Sequence, residues 1–377
     1  MKICLFYHSL VSDWNHGNAH FLRGNVAELI ARGHQVTVYE PADGWSLRNL
    51  LQEHGEEPLI QFRRAYRELT SVSYDPRNFD VRAALQDTDL VIVHEWTDPA
   101  LVKKIGGLRR EESFMLLFHD THHRLVTDRA AMTAYDLSAY DGVLAYGKVL
   151  RDLYLNEGLT QRAWTWHEAA DTNIFHPKKI ATPSEGDLVW IGNWGDDERT
   201  EELHEFLIQP VRELGLRAKI YGVRYPETAL NALAEAGIEY GGWLPNFAAP
   251  DVFARYRVTV HVPRRPYVDA LPGIPTIRPF EVLACGLPLV CSPWHDTENL
   301  FSAGEDYLVA RNGEEMKQQL QRVLTDDALR TRLIRHGLGT IRSRHTCAHR
   351  VDELLAICAS LRGSRPSAAY RAKTRAA

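Results

Sequence analysis

Arg278 and Glu281 stand three residues apart in "TIRPFEVLACGLPLV" (276–290), in front of an apolar stretch that stops at Gly286. The spacing predicts a short helix from near Phe280 to Gly286, with Thr276 and Arg278 just before it. The free amides of a helix N-terminus carry partial positive charge, so this stretch reads as an anion site of backbone donors plus one guanidinium. Glu281, in the first turn, can accept hydrogen bonds from hydroxyls such as those of a ribose. The plainer alternative is that Glu281 complements the helix dipole and pairs with Arg278; the residues alone leave both readings open.

Three other polar clusters follow strand-like runs. In "IGNWGDDERTEEL" (191–203), Gly192 and Gly195 permit close backbone approach around Asn193, and Arg199 falls in the first turn of the next helix. In "HSLVSDWNHGNAHF" (8–21), Gly17 and Asn18 open a helix, but the spacing is not G-x-G-x-x-G, so a dinucleotide fingerprint is absent. "LFHDTHHR" (117–124) gathers His119, Asp120, His122, His123 and Arg124. Their spacing would suit a metal, but no second ligand cluster accompanies them, and hydrogen bonding to a polyol or proton transfer fits better. "WTWHEAAD" (164–171) is a further polar cluster near a linker.

The elements that must position these residues alternate. Strands are expected at 2–9, 34–41, 89–96, 113–120 and 142–147, with a helix over 18–33. Continuous Val, Ile and Leu runs mean strands buried on both faces, hence parallel sheets wrapped by helices. A Pro- and Lys-containing linker over 175–187 interrupts the pattern, which then restarts with strands at 188–194, 217–223, 257–263 and 287–293 and helices near 198–214 and 226–236. "QFRRAYREL" (61–69) reads as an ordinary amphipathic helix. The expectation is an α/β chain of two doubly wound, Rossmann-like domains, with ligands held in the cleft between them, outside the carboxyl ends of the strands. The expected boundaries are 1–172, 173–345, a helix at 346–362 packing back on the first domain, and a basic disordered tail at 363–377.

Composition narrows the function. The 377 residues are 45% hydrophobic and carry a net charge of −5, which suits two globular domains and not a nucleic-acid-binding surface. Five cysteines without a C-x-x-C pair read as reduced thiols in a cytoplasmic protein, without structural zinc. No run reaches the length of a membrane span, so membrane contact is at most peripheral.

With these residues in view, the chain resembles the GT-B glycosyltransferases, in particular family 4 and its spore-maturation, CgeB-like branch. "IRPFEVLACGLPLVCSPWHDTENLF" (277–301) is similar to that branch's R-x-F-E-x-x-A-C-G helix, the strand after it and the following acidic residue, here Glu298. "IEYGGWLPNFAAPDVFARYRVTVHVP" (238–263), "HEAADTNIFHP" (167–177) and "GNAHFLRGNVAELIARGHQVTVYE" (17–40) resemble further family segments. The resemblance implies a glycosyltransferase, specifically a hexosyltransferase of glycan biosynthesis. It would use a nucleotide-diphosphate sugar, UDP- or GDP-linked, with no cofactor and no metal, and would retain configuration. The acceptor would be a glycan, a lipid-linked or a small-molecule hydroxyl. Glu281 would hold the ribose, and Arg199 and Arg278 would face the diphosphate. Gly192 and Asn193 would lie on the donor side. Tyr221, Gly222 and Arg224, with Gly242, Trp243 and Leu244, would flank the base. Gly17 and Asn18 would approach the phosphates, and His119 and Asp120 the transferred sugar. The family's E-x₇-E pair is broken, with Gly273 in the first position. Backbone amides from Gly273 and Ile274 to Thr276 and Ile277 would then hold sugar or phosphate. Two alternatives are a catalytically degenerate nucleotide- or glycan-binding protein and a sugar-nucleotide epimerase on the same fold.

Overall fold

The computed structural model describes residues 1–179 and 184–363. Residues 180–183 of the expected linker and the basic tail from 364 onward lie outside the described residues.

Short apolar runs form the strands. In the first half these are β1 (Lys2–Phe6), β2 (Gln35–Pro41), β3 (Ser71–Tyr74), β4 (Leu90–His94), β5 (Met115–Asp120), β6 (Gly142–Ala145) and β7 (Ala163–Thr165). They pair in the order β3-β2-β1-β4-β5-β6-β7, every pair parallel. Ile3 of β1 lies opposite Val36 on one side and Leu90 on the other. Every residue of β4, β5 and β6 is buried, as strands covered on both faces must be.

The second half holds β8 (Leu188–Ile191), β9 (Ala218–Tyr221), β10 (Glu239–Tyr240), β11 (Thr259–His261), β12 (Leu289–Cys291) and β13 (Leu308–Val309). They form the parallel sets β10-β9-β8 and β11-β12-β13. A bridge between Leu188 and Val258 joins the two sets, and the Thr259 hydroxyl donates to the Val189 carbonyl at 2.5 Å. Strand order therefore reverses once in each half, between β1 and β4 and between β8 and β11.

Some elements differ from the sequence expectation. The edge strands β3, β7, β10 and β13 were not anticipated, nor was helix Trp45–His54; with helix Glu57–Ala65 it fills the excursion between β2 and β3. The expected helix over 198–214 is divided into Thr200–Leu203, a π-helical turn His204–Ile208, and Gln209–Leu214. Pro210, without an amide hydrogen, cannot complete the α-helical bond to Phe206. The helix expected from Phe280 runs over Ile277–Cys285. Pro279 falls in its first turn, where amides have no intrahelical partner anyway, so Arg278 belongs to the helix.

The chain passes between the halves twice, through residues 171–175 and again at 345–347. The two passages are bonded to each other: Ala170 N donates to His345 O and Cys347 N to Ala170 O, both at 3.0 Å. The last helix, Cys347–Gly363, then lies against helix Ala19–Ala31 of the first half. The approach is close enough that a Cβ on Gly24 would meet Cys347 Sγ and Asp171 Cβ at 2.6 Å. The Trp166 indole donates to Arg350 O at 2.8 Å, and Val351 and Leu354 join Phe21, Trp166 and Phe280 in one core spanning both halves. Among the described residues all five cysteines are free, and no helix is long and apolar enough to cross a membrane.

Candidate functional site

A cavity of about 730 Å³ opens between the halves, within the range of small-molecule sites. Its walls follow strand ends. His8 follows β1, Trp45 follows β2, His94 and Trp96 close β4, and Thr121 to His123 follow β5. From the second half come Gly192 and Asn193 after β8, Gly222 after β9, and His261 and Arg264 at and after β11. Both reversals of strand order thus face one space, where open α/β sheets place ligands.

The second-half wall is cationic. Arg199 lies within it, donating to Val262 O at 2.7 Å, Asn193 O at 2.5 Å and Trp194 O at 3.3 Å, with its guanidinium 5.0 Å from the Trp190 ring centre. Among the described residues it has no carboxylate partner. Burial, with Arg264 and Arg278 adding like charge against the opposing Tyr225 and the Glu198 charge, pushes its pKa down to about 9. Arg264 pairs with Glu198 at 3.0 Å. Asn193 accepts from Val223 N at 2.9 Å and donates to Asn15 of the first half at 2.5 Å. At the rim, Trp243 stacks on His54 with ring centres 4.7 Å apart, and the Arg224 guanidinium lies 5.9 Å from the Trp45 ring.

Thr276 caps helix Ile277–Cys285 at φ 58°, ψ −176°, a region essentially reserved for glycine. A β-branched residue held there is strained, and it sits in the cavity wall with its hydroxyl 3.5 Å from His261 Nε2. Two residues on, Arg278 lines the cavity and pairs with Glu281.

Glu281, expected at the ribose, is fully buried and absent from the cavity wall. Its Oε1 lies 2.6 Å from His20 Nδ1 and accepts from Asn246 Nδ2 at 2.9 Å. The Asn246 amide donates to Asp13 at 3.0 Å, which also binds Arg23 at 2.9 Å. Burial alone would raise the Glu281 carboxyl, but Arg278, His20 and Asn246 outweigh it and hold it below its ordinary value. The plainer alternative, in which Glu281 pairs with Arg278, is the observed geometry.

On the first-half wall Gly17 and Asn18 line the cavity, whereas His119 and Asp120 do not. Both side on β5 into the protein. His119 is fully buried, 4.8 Å from the Trp166 ring and 5.3 Å from His94, and Asp120 accepts from Tyr154 at 2.7 Å and from the His122 amide at 3.0 Å. His94, His122 and His123 stand in the wall instead. Among the described residues no group of three His, Cys, Asp or Glu side chains is arranged to hold a metal.

The structure brings Arg199, Arg224, Thr276, Ile277 and Arg278 to the cavity, with Gly192, Asn193, Gly222, Trp243 and Leu244. Tyr221, Gly242, Gly273, Ile274 and Glu298 stay outside it. Tyr221 belongs to β9 itself and its ring packs over Gly241. Gly242 gives its carbonyl to Gly222 N at 2.8 Å. Ile274 is buried against Gly147, Gly273 donates to His295 O at 2.6 Å, and Glu298 joins the halves through His167 at 3.0 Å and Lys148 N at 2.7 Å. Sequence reading missed His8, His16, Trp45, His94 and Trp96. For His8, Trp45, His94 and Trp96 the signal was position at or after the ends of β1, β2 and β4.

In "WTWHEAAD", Glu168 is buried with neither carboxylate oxygen partnered. Burial first, then the Glu281 charge, raises its pKa well above 4.5. The folded chain then keeps a proton that the unfolded chain releases above about pH 4.5, so stability falls as pH rises from there toward the folded pKa. The slope from this group is at most about 1.4 kcal/mol per pH unit. Glu168→Gln is expected to flatten it, as read by urea unfolding at pH 5, 6 and 7; equal slopes in both proteins would refute the assignment.

Residues 199–356 match a family model described as glycosyl transferase-like. No curated protein matches the chain in sequence. In three dimensions almost the whole chain is similar to solved enzymes. Sucrose-phosphate synthase from Thermosynechococcus elongatus superposes with a TM-score of 0.68 at 13% identity, over 97% of this chain and 100% of that one. An alpha-glucosyltransferase in complex with UDP and a 13-mer DNA containing an HMU base gives 0.69 at 13%, over 95% and 99%. HepE of Anabaena, in complex with UDP and glucose, gives 0.66 at 12%, over 96% and 100%. The fold is therefore that of the GT-B glycosyltransferases.

Proposed function

We propose that the chain is a glycosyltransferase that moves a hexose from a UDP- or GDP-linked sugar to an acceptor hydroxyl. One observation carries the reading: Arg199, Arg264 and Arg278 line a cavity at both reversals of strand order, and Arg199 has no carboxylate partner among the described residues. The glycosyl transferase-like match over 199–356 and the UDP-bound neighbours support it.

In this reaction the acceptor oxygen bonds to the anomeric carbon and gives up its proton. The bond from that carbon to the diphosphate oxygen breaks, and its electron pair leaves with the nucleoside diphosphate. Arg199, Arg264, Arg278 and the amides at the start of helix Ile277–Cys285 stabilise that charge, as an oxyanion hole does. These cationic groups are why the reading needs no metal or cofactor. The base lies along Asn193, Gly222, Arg224 and Trp243. In the retaining course we favour, the acceptor attacks from the leaving-group side and its proton passes to the departing diphosphate oxygen. In an inverting one, His122 or His123 in the wall would take the proton. Family 4 and its CgeB-like branch are the proposed placement, and the free thiols favour a cytoplasmic setting. With a net charge of −5, a nucleic-acid acceptor is not part of the reading.

Thermal shift with UDP, GDP, ADP and their sugars tests this. A nucleotide at 100 times its Kd adds about 2.7 kcal/mol. The expected result is a shift with one nucleotide that Arg278→Ala loses, followed by sugar transfer seen by mass spectrometry. A folded native protein that no nucleotide stabilises would overturn it.

A further inference from the structure

The two walls of the cavity differ in charge. The second half contributes Arg199, Arg224, Arg264 and Arg278 against two carboxylates, Asp196 on Arg224 at 2.6 Å and Glu198 on Arg264 at 3.0 Å. The first half contributes one carboxylate, Asp13, already paired with Arg23 at 2.9 Å, and otherwise imidazole, indole and neutral polar groups. Its histidines crowd one another: the rings of His8 and His16 are 3.9 Å apart, those of His8 and His94 5.9 Å, and those of His122 and His123 4.0 Å. Neighbours this close cannot all carry charge. Burial accordingly lowers the pKa of His8 to about 4 and those of His16, His94 and His122 well below the ordinary value. One ring nitrogen in each of His8, His16, His94 and His122 is buried without a hydrogen-bond partner in the protein, while His94 Nε2 meets Thr121 Oγ1 at 3.1 Å.

Trp96 is the large apolar group in this wall. It is 46% exposed, yet held: the Arg124 guanidinium lies 4.3 Å from its ring centre and His122 meets its edge at 5.4 Å. Arg124 is itself fixed by Tyr135 Oη at 3.2 Å and Glu95 O at 3.4 Å. An immobilised indole beside neutral groups that both donate and accept suits a ring with an apolar C–H face and hydroxyl edges.

We infer that the first-half wall is a subsite for an uncharged saccharide, stacked on Trp96 and hydrogen-bonded by the surrounding imidazoles. The inference rests on the transferase reading and narrows its acceptor to a neutral glycan, excluding one that presents a phosphate at this wall. A phosphate here would meet the Asp13 carboxylate and, beside His123, that of Glu198, while the Arg124 guanidinium behind Trp96 is already paired with Glu95 at 3.6 Å.

Saturation-transfer NMR on the native protein, with saturating UDP or GDP, tests it. The probes are glucose, galactose, mannose, N-acetylglucosamine, maltose and cellobiose, against the 1- and 6-phosphates of the same hexoses. The expected result is binding of a neutral sugar in preference to its phosphate. Trp96→Ala should weaken it about tenfold or more, as loss of a central tryptophan contact does. Trp96→Phe keeps an aromatic face and should retain part of the affinity, which guards against a misfolded alanine variant. Nucleotide affinity should be unchanged in both. Tighter binding of a sugar phosphate, unaltered sugar binding in Trp96→Ala, or no sugar binding by a protein that binds nucleotide would each overturn the inference. Absence of nucleotide binding would instead count against the transferase reading.

Discussion

Arg199→Met is expected to slow sugar transfer by about 10²-fold or more, the cost of removing one preorganised donor to a developing negative charge. Arg199 is held by three backbone carbonyls and the Trp190 face, so it is oriented before any ligand arrives. Its neighbours Arg264 and Arg278 each have a carboxylate, whereas Arg199 has only neutral partners. A diphosphate supplies the missing countercharge, and the benefit grows as the leaving group gains charge. Affinity for the nucleoside diphosphate should therefore fall with the rate. Arg199→Lys should recover only part of either, because a point charge on a flexible stem cannot reproduce the fork. Steady-state kinetics and calorimetry with the diphosphate measure both. An unchanged rate and affinity in Arg199→Met would remove Arg199 from the donor site.

The second large effect concerns stability. Glu281→Gln is expected to destabilise the protein by about 3–5 kcal/mol near neutral pH, the usual consequence of removing one partner from a buried ion pair. The glutamate joins Arg278 on its own helix, His20 from the first half and Asn246; glutamine keeps one acceptor oxygen for His20 and Asn246 but turns an amide toward the Arg278 guanidinium, which loses its countercharge. Because the folded pKa is lowered, this stabilisation is present above the unfolded value of 4.5 and is lost as pH falls through the folded one. The native and variant denaturation curves should converge in acid. Equal stability at pH 7 would show that the pair contributes nothing. Any loss of nucleotide affinity in Glu281→Gln would then be traced to a displaced Arg278.

The central strands and the cationic wall were legible because both are local. Runs such as "LVIVH" declare a strand buried on both faces, and a residue placed just past a strand end, such as Asn193, or at the start of a helix, such as Thr276, points to the cleft. Edge strands were not legible. "SVSY" at 71–74 and "EY" at 239–240 carry little apolar signal, and only the neighbouring strand makes them strands. Side-chain direction was the other limit. His119 lies on β5 and the cavity residues follow it, a shift of two positions that a short motif cannot resolve. For Glu281 the deciding partner is His20, 261 positions away in sequence, and no spacing rule reaches that far.

The doubled passage of the chain between the halves has a topological consequence. Backbone bonded side by side at Ala170, His345 and Cys347 ties the second half to the first at both of its ends. It is an insertion closed by its own neck, not an appendage on a single thread. A cut at either passage would leave the other, with Trp166 on Arg350 and the shared core, to keep the pieces together.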